Sequence, residues 1–449
     1  MPTLPRIILL AAILSSFPSA RAARAETGVQ PGLAGPGLYD QNPNHLWNRL
    51  HRVLFVRKGP DGVEYGFDQL DPLLWPRTKH LLGESSHTNA VTLLDEFLAS
   101  HGEALIRDPL RRALLQRDLW ALFDWTVWPD RDAPDQQARE ALQLRLSAAI
   151  HRLALTKDEI DTLPDNYLAA SQSQALNQAE PDHGLAGPHL PMGLFATNGS
   201  WVCLGVPGEQ PFAPTHIARF GGRSVFLVFM QTPGGRQETT NYLKRFRDYP
   251  QPYLYEPSTF DTNLTVAVPN PNLPVFPNGT TFALVRQMVL VDQKGGLVST
   301  HLTESVHVRR YNDTHPVRGA YGMAPTSAQS SSAFVLSRER LFKGTAGSLR
   351  AVAPGEQDFL QFMSKGFDPF EEAASRHEPL SLHPALDCMT CHGQGGLASV
   401  ASLMQNFAAR TVTLPYITEI TLDQQRDTAR YWKQQQFTWG LLQGLWAQR

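Results

Sequence analysis

Two cysteines and a histidine near the C-terminus form the pattern in this sequence with the clearest potential for chemistry. Cys388 and Cys391 are separated by two residues, and His392 follows the second cysteine directly. Two thiols at this spacing can each form a thioether with one vinyl group of a haem, and the adjacent imidazole can ligate the iron. The same thiols could form a redox dithiol, a structural disulfide or half of a zinc site. The compartment of the protein bears directly on this choice.

The first 25 residues have the pattern of a cleavable secretory signal peptide. Arg6 gives a small positive charge, residues 7–14 are apolar, and small-residue cleavage sites end at Ala22 and Ala25. We therefore expect residues 1–25 to be removed and the protein to be periplasmic or otherwise exported. No later stretch approaches the length of a membrane span, so we expect no transmembrane span in the mature chain.

In an exported protein, the C-x-x-C-H spacing resembles the haem-attachment site of c-type cytochromes. The resemblance is confined to residues 388–392 and their surroundings. It implies one covalent haem c, with Cys388 and Cys391 as attachment residues and His392 as the proximal iron ligand. It also implies one-electron transfer and a redox partner protein. A zinc site would need about four ligands, and the sequence has no second C-x-x-C; a bare disulfide would leave His392 unexplained.

The distal ligand decides between electron transfer and catalysis. Met404 is the only methionine downstream of His392, and small c-type cytochromes generally take their distal methionine from downstream, so Met404 is the first candidate. The separation of twelve residues is shorter than the usual pattern. The other candidates are His377, His383, Met363 and Met323.

Two alternative functions stay open at this point. An iron with an open distal position would make the protein a haem enzyme, such as a peroxidase-like protein, or a small-molecule sensor. A chain without haem would be an exported binding protein with a Cys388–Cys391 disulfide.

Charge and motif content argue against other function classes. The chain has 40 basic and 42 acidic residues, a net charge of −2, and no basic block, so we expect no nucleic-acid partner. The motifs of serine hydrolases, zinc proteases and nucleotide-binding loops are absent from the sequence. The third cysteine, Cys203, lies in an apolar run and is predicted to be a buried hydrophobic residue.

The elements that position the motif predict an α+β multidomain protein. Residues 26–185 are predicted to form a mainly helical domain, with a helix start at Asp108-Pro109 and a capping box at Thr156–Glu159. Residues 190–330 are predicted to form a β-rich domain.

The β-rich domain contains a predicted hairpin of residues 281–291 and 297–310. On its second strand His301 and His307 alternate with apolar residues, which predicts a half-buried antiparallel sheet with both histidines on the solvated face. Residues 331–449 are predicted to form the haem-binding region, with one long terminal helix capped at Thr421 whose tryptophan stripe packs into the core.

Overall fold

The computed structural model describes most of the chain from residue 37 onward. The described residues are 37–59, 62, 64–68, 78–127, 135–173, 176, 189–208, 211–258, 265–314, 328–344, 347–352, 360–361, 370, 383–384, 392, 396–400 and 417–447. The predicted signal peptide, residues 1–25, lies outside these ranges. All structural statements below concern the described residues.

Six described α-helices lie in the N-terminal half. They are α1 (Leu46–Phe55), α2 (Glu84–Ala99), α3 (Pro109–Thr126), α4 (Gln136–Leu153), α5 (Lys157–Asp161) and α6 (Asn166–Ser171). Of these, α1, α3, α5 and α6 begin after a residue whose side chain caps the helix. Asp108 accepts a hydrogen bond from the main-chain N–H of Leu110, and Thr156 and Glu159 form a complete capping box, so both predicted helix starts are confirmed.

A seven-stranded antiparallel sheet lies at the centre of the fold. In spatial order its strands are β10 (Leu349–Ala351), β9 (Gln329–Leu336), β8 (Leu297–Tyr311), β7 (Thr281–Val291), β4 (Ser224–Gln231), β3 (Val202–Gly205) and β13 (Thr418–Glu419). The hairpin predicted from the sequence is β7–β8. The smaller two-stranded pairs are β1 (Arg57–Lys58) with β2 (Glu64–Tyr65), β5 (Tyr253–Pro257) with β6 (Thr265–Pro269), and β11 (Leu360–Gln361) with β12 (His383–Pro384).

The remaining helices are α7 (Pro214–Arg219), α8 (Gly235–Arg247), α9 (Arg338–Phe342), α10 (Leu422–Gln434) and α11 (Phe437–Ala447). The prediction of a single long terminal helix is wrong. The helical conformation is interrupted at residues 435–436, which separate α10 from α11. The capping box at Thr421 is present, and Trp439 of the tryptophan stripe is buried against Trp120 of α3, with 5.9 Å between ring centroids.

Apolar side chains cover both faces of the sheet. Alternate residues of β4 point to opposite sides: Leu227 belongs to a cluster with the N-terminal helices, and Phe226 belongs to a second cluster with α7 and α8. The second cluster also contains Leu397 and Val400, a few residues after the C-x-x-C-H motif. The sheet is therefore an inner layer, and Leu397 and Val400 pack on the face opposite the N-terminal helices.

The solvated face predicted for β8 is wrong in the middle of the strand. His301 is exposed as predicted, but Thr303 and Ser305 are buried and His307 is partly buried. The reason is tertiary: the Asn166 side chain of α6 bonds to the main chain of Thr303, and further along the strand the Arg309 side chain donates to the His392 carbonyl.

The predicted α+β class is confirmed. By their contacts the described residues belong to one compact unit, Ala34–Arg449, and the N-terminal helices share an apolar cluster with the sheet. The limits 26–185, 190–330 and 331–449 stay a prediction. Within the described ranges, no helix is long and apolar enough to cross a bilayer.

Candidate functional site

The imidazole of His392 is held in one orientation by a tight turn that follows it. Its Nδ1 atom lies 2.5 Å from the main-chain carbonyl oxygen of Ser399, at the end of the 3-10 helix Gly396–Ser399. A carbonyl oxygen only accepts, so Nδ1 carries the hydrogen and donates. The neutral ring then has its lone pair on Nε2, where a metal could bind.

The turn that supplies this carbonyl is itself buried and constrained. The Ser399 hydroxyl donates to the carbonyl of Gly396 at 2.7 Å, and Ser399 is fully buried. Gly396 has a φ of +56°, and a Cβ atom there would lie 2.7 Å from the carbonyl oxygen of Thr314. This position therefore requires glycine, both for its left-handed backbone and for its closeness to the neighbouring loop.

The main chain of His392 is tied to the sheet from the other side. Its carbonyl oxygen accepts from the Gln329 side-chain amide at 3.1 Å and from the Arg309 guanidinium at 3.3 Å. Arg309 also donates to the Gln329 amide oxygen at 2.7 Å, which joins β8 to β9 at this point. The histidine is thus positioned by hydrogen bonds to both its ring and its backbone.

Two further histidines lie close to His392. The ring of His216, on α7, has its centroid 6.4 Å from that of His392, and the two planes differ by 20°. His216 also packs against Phe226 of β4, with 5.6 Å between centroids. The third imidazole is His307 of β8, whose electrostatic interaction reaches both other rings.

All three imidazoles are neutral at pH 7. Burial, followed by the charges of Arg309 and Arg286, lowers the pKa of His307 to about 3. Burial, followed by the two neighbouring histidines, lowers the pKa of His216 to about 4. Burial and Arg309 lower the pKa of His392 as well, against the opposing effect of its hydrogen bond to Ser399. Neutral rings of this kind have a lone pair available for a metal.

Several residues predicted from the motif lie outside the described ranges. These are the attachment residues Cys388 and Cys391, the first distal candidate Met404, and the further candidates His377, Met363 and Met323. For His383 the structure describes the backbone, which is part of β12. Of the motif, the structure thus describes His392.

Cys203 behaves as the sequence predicts. It is buried in β3 as a free thiol, and burial raises its pKa to about 12. A thiol held in its protonated form is a poor nucleophile and a poor metal ligand. This residue belongs to the core rather than to the site.

Among the residues described, His392 has a free lone pair on Nε2 and so has the chemistry to ligate a haem iron. Among the described residues, no group of three or more His, Cys, Asp or Glu side chains is arranged to hold a metal ion. A haem iron takes four ligands from the porphyrin and needs only one or two from the protein. His392 meets that need, because its Nδ1–H donates to a carbonyl, which is the usual support of a metal-bound histidine.

Sequence reasoning placed His307 on a solvated face and did not single out His216. Nothing in the local pattern Pro214-Thr215-His216-Ile217 indicates a ligand. The proximity of these residues to His392 depends on how α7 and the motif segment pack on the sheet. Comparison with protein-family models, with curated proteins and with solved structures found no match to this chain.

Proposed function

We propose that this chain is an exported c-type cytochrome-like protein that transfers single electrons through one haem c. Cys388 and Cys391 would attach the haem through thioethers, and His392 would be the proximal iron ligand. The signal-peptide pattern of residues 1–25 supports export to a compartment such as the periplasm. A redox partner protein follows from this function.

The observation that carries the proposal is the hydrogen bond from His392 Nδ1 to the Ser399 carbonyl oxygen. It selects the tautomer with the Nε2 lone pair and prevents the ring from rotating. A buried histidine with a purely structural role also needs such a partner, as His51 has in the Phe67 carbonyl. The bond supports iron ligation here because His392 belongs to the C-x-x-C-H motif, so the cysteine spacing and the imidazole orientation favour the same chemistry.

When bound, the haem iron supplies the one-electron chemistry, by exchange between its ferric and ferrous states. The residues around His392 influence the reduction potential of that iron. The Arg309 guanidinium and the buried surroundings of His392 disfavour additional positive charge, which favours the reduced state. The hydrogen bond to Ser399 increases the donor strength of the imidazole and acts in the opposite direction.

Covalent haem attachment is the direct test. The protein is expressed with its signal sequence in a bacterial host that has c-type haem maturation, and purified from the periplasm. We expect a haem absorption spectrum that survives acid-acetone extraction and a haem-staining band under denaturing conditions. The intact mass should exceed that of the chain without its leader by the mass of one haem.

Matched cysteine variants make the test specific. Cys388→Ala and Cys391→Ala together should abolish covalent haem, whereas Cys203→Ala should retain it, because Cys203 is buried in β3. A purified wild-type protein that is colourless and has a Cys388–Cys391 disulfide would overturn the proposal in favour of an exported binding protein. Retention of covalent haem by the double variant would overturn the assignment of the attachment residues.

A further inference from the structure

We propose that His216 is the second axial ligand of the haem iron, on the face opposite His392. This inference rests on the proposed function and deepens it, because it identifies the group that closes the distal side of the iron. It replaces Met404, the sequence-based candidate, by a residue from a distant part of the chain.

The separation of the two rings is compatible with a shared iron. Imidazole nitrogens bind transition metals at about 2.0–2.1 Å, and a ring centroid lies about 1.1 Å beyond its ligating nitrogen, so two rings on opposite sides of one metal have centroids about 6.3 Å apart. The centroids of His216 and His392 are 6.4 Å apart, with planes 20° from parallel. Ordinary aromatic contacts also span about 4.5–7 Å between centroids, so the distance permits a shared iron, and the spectra and variants below decide whether one is present.

α7, which carries His216, packs on the same face of the sheet as Leu397 and Val400. Two contacts hold this part of α7 on the sheet. Ile217 is fully buried in the cluster that contains Leu397 and Val400, and the His216 ring packs on Phe226. The two imidazoles are thus presented by elements that pack into one apolar cluster. An apolar environment of this kind excludes water and suits the flat, apolar body of a haem.

His307 is the nearest competitor, and its surroundings disfavour it. It is held in β8, and its strongest charged neighbours are the guanidinium groups of Arg309 and Arg286. Arg309 also donates to the His392 carbonyl, and Arg286 is buried in an ion pair with Glu304. The near-parallel ring partner of His392 is His216.

A second imidazole has two functional consequences. It closes the iron, so that electrons pass through the haem edge and small molecules are excluded. It also gives a lower reduction potential than a methionine ligand would, since the thioether favours ferrous iron. The inference therefore favours an electron carrier over the peroxidase-like and sensor alternatives.

The experiment is spectroscopy of the haem-loaded full chain, starting with the wild type. We expect a six-coordinate low-spin ferric spectrum and a near-infrared charge-transfer band at the position typical of two nitrogen ligands. Carbon monoxide should bind the reduced protein poorly. A near-infrared band typical of methionine sulfur would overturn the inference without any variant.

Variants then assign the ligand. His216→Ala should convert the iron to high spin and allow rapid carbon monoxide binding, and added imidazole should restore the low-spin spectrum. His216→Met, which retains a ligating side chain of similar volume, should remain low-spin with the sulfur band and a higher potential. The exposed His301→Gln is the matched control and should leave the spectrum unchanged.

Two competing variants make the failure of this inference distinct from that of the proposed function. If His307→Gln or Met404→Leu opens the iron while His216→Ala leaves it closed, His216 is not the ligand although the protein is a haem protein. A wild type without haem would instead overturn the proposed function itself, and this inference with it.

Discussion

Asp118 and Arg338 form an ion pair that is wholly inside the protein. Asp118 lies on α3 and Arg338 opens α9, and the Arg338 guanidinium donates from both terminal nitrogens to the two carboxylate oxygens of Asp118, one bond measuring 2.9 Å. Neither side chain is more than 1% exposed. The pair joins the N-terminal helices to α9, the connection between strands β9 and β10 of the sheet.

Removal of one partner of this pair should destabilise the protein strongly. Asp118→Asn or Arg338→Met leaves the other charge buried with too few partners, so we expect the free energy of unfolding to fall by about 3–5 kcal/mol. Replacing both residues, as Asp118→Leu with Arg338→Met, should cost less than either single change, because no unpaired charge is then left. Denaturant unfolding of the purified protein measures all three values.

The exposed pair Lys157–Asp161 provides the matched control, because its side chains are largely in contact with solvent. Lys157→Ala should change the free energy of unfolding by less than about 1 kcal/mol. Equal losses in Lys157→Ala and Arg338→Met would contradict the argument, since burial would then have no influence on the strength of the pair.

The ammonium group of Lys433 is buried and its pKa is depressed. It donates to the Asp124 carboxylate and to the carbonyl of Gly221, each at 2.8 Å, and burial lowers its pKa to about 8 although Asp124 acts in the opposite direction. Between this value and the model-peptide value of 10.5, the unfolded chain binds a proton that the folded protein has released. Stability from this group therefore rises with pH in that interval.

The difference between wild type and Lys433→Met isolates this effect from that of other groups. The free energy of unfolding of the wild type, minus that of the variant, should rise by about 3 kcal/mol from pH 8 to 10.5. Arg223 still pairs with Asp124 in the variant. Chemical denaturation at a series of pH values gives the difference, and a curve that is flat or falls with pH would show that the fold does not depress the pKa of Lys433.

Below pH 7, His51 of α1 is a group whose lowered pKa should make the stability of the fold depend on pH. Its Nε2 lies 3.0 Å from the Phe67 carbonyl oxygen, and burial, followed by the charge of Arg338, lowers its pKa well below 6.5. As pH falls below 6.5, the unfolded chain gains a proton that the folded protein does not, so the fold loses up to about 1.4 kcal/mol per pH unit from this residue.

The variant His51→Gln keeps a donor for the Phe67 carbonyl and does not titrate. Thermal unfolding from pH 7 to 4.5 should show a steeper loss of stability in the wild type than in this variant. Parallel curves would mean that His51 is protonated in the fold, which its buried position argues against.

The features of this fold that could be predicted are those determined by residues close together in the sequence. Asp108-Pro109, the Thr156–Glu159 box and the β7–β8 hairpin are specified by residues that bond to their own surroundings, and each is present. The free thiol of Cys203 was predictable for the same reason, because its whole run is apolar. The C-x-x-C-H motif is likewise recognised from five consecutive residues.

What the sequence could not specify depends on residues far apart. The alternation in β8 indicates a strand correctly, but it does not reveal that Asn166 of α6 bonds to Thr303 or that Arg309 bonds to the His392 carbonyl. Nor can any pattern within α7 indicate that His216 lies beside His392, because this contact is produced by the apolar residues that pack both segments on the sheet. The break between α10 and α11 also follows no strong local signal, since no proline lies there.

Gly396 connects the fold to the proposed haem site, and Gly396→Ala should therefore disturb the site itself. The new methyl group would lie 2.7 Å from the Thr314 carbonyl oxygen, on a backbone that already has a φ of +56°. Because the turn has to move, the Ser399 carbonyl moves with it and weakens its hydrogen bond to His392 Nδ1. We expect less covalent haem per chain and a raised reduction potential, since a weaker imidazole donor stabilises ferric iron less.

Gly344→Ala is the control for this change, because it separates backbone strain from disturbance of the site. Gly344 has a φ of +65° but no atom within 4 Å of an added Cβ, so its substitution costs about 1–2 kcal/mol of stability from the left-handed backbone alone. Its haem content and potential should equal those of the wild type, as measured by haem absorbance per chain and by redox titration. If Gly396→Ala lowers the melting temperature but leaves the potential where Gly344→Ala leaves it, the Ser399 carbonyl does not tune His392, and the hydrogen bond that supports the proposed ligand is structural only.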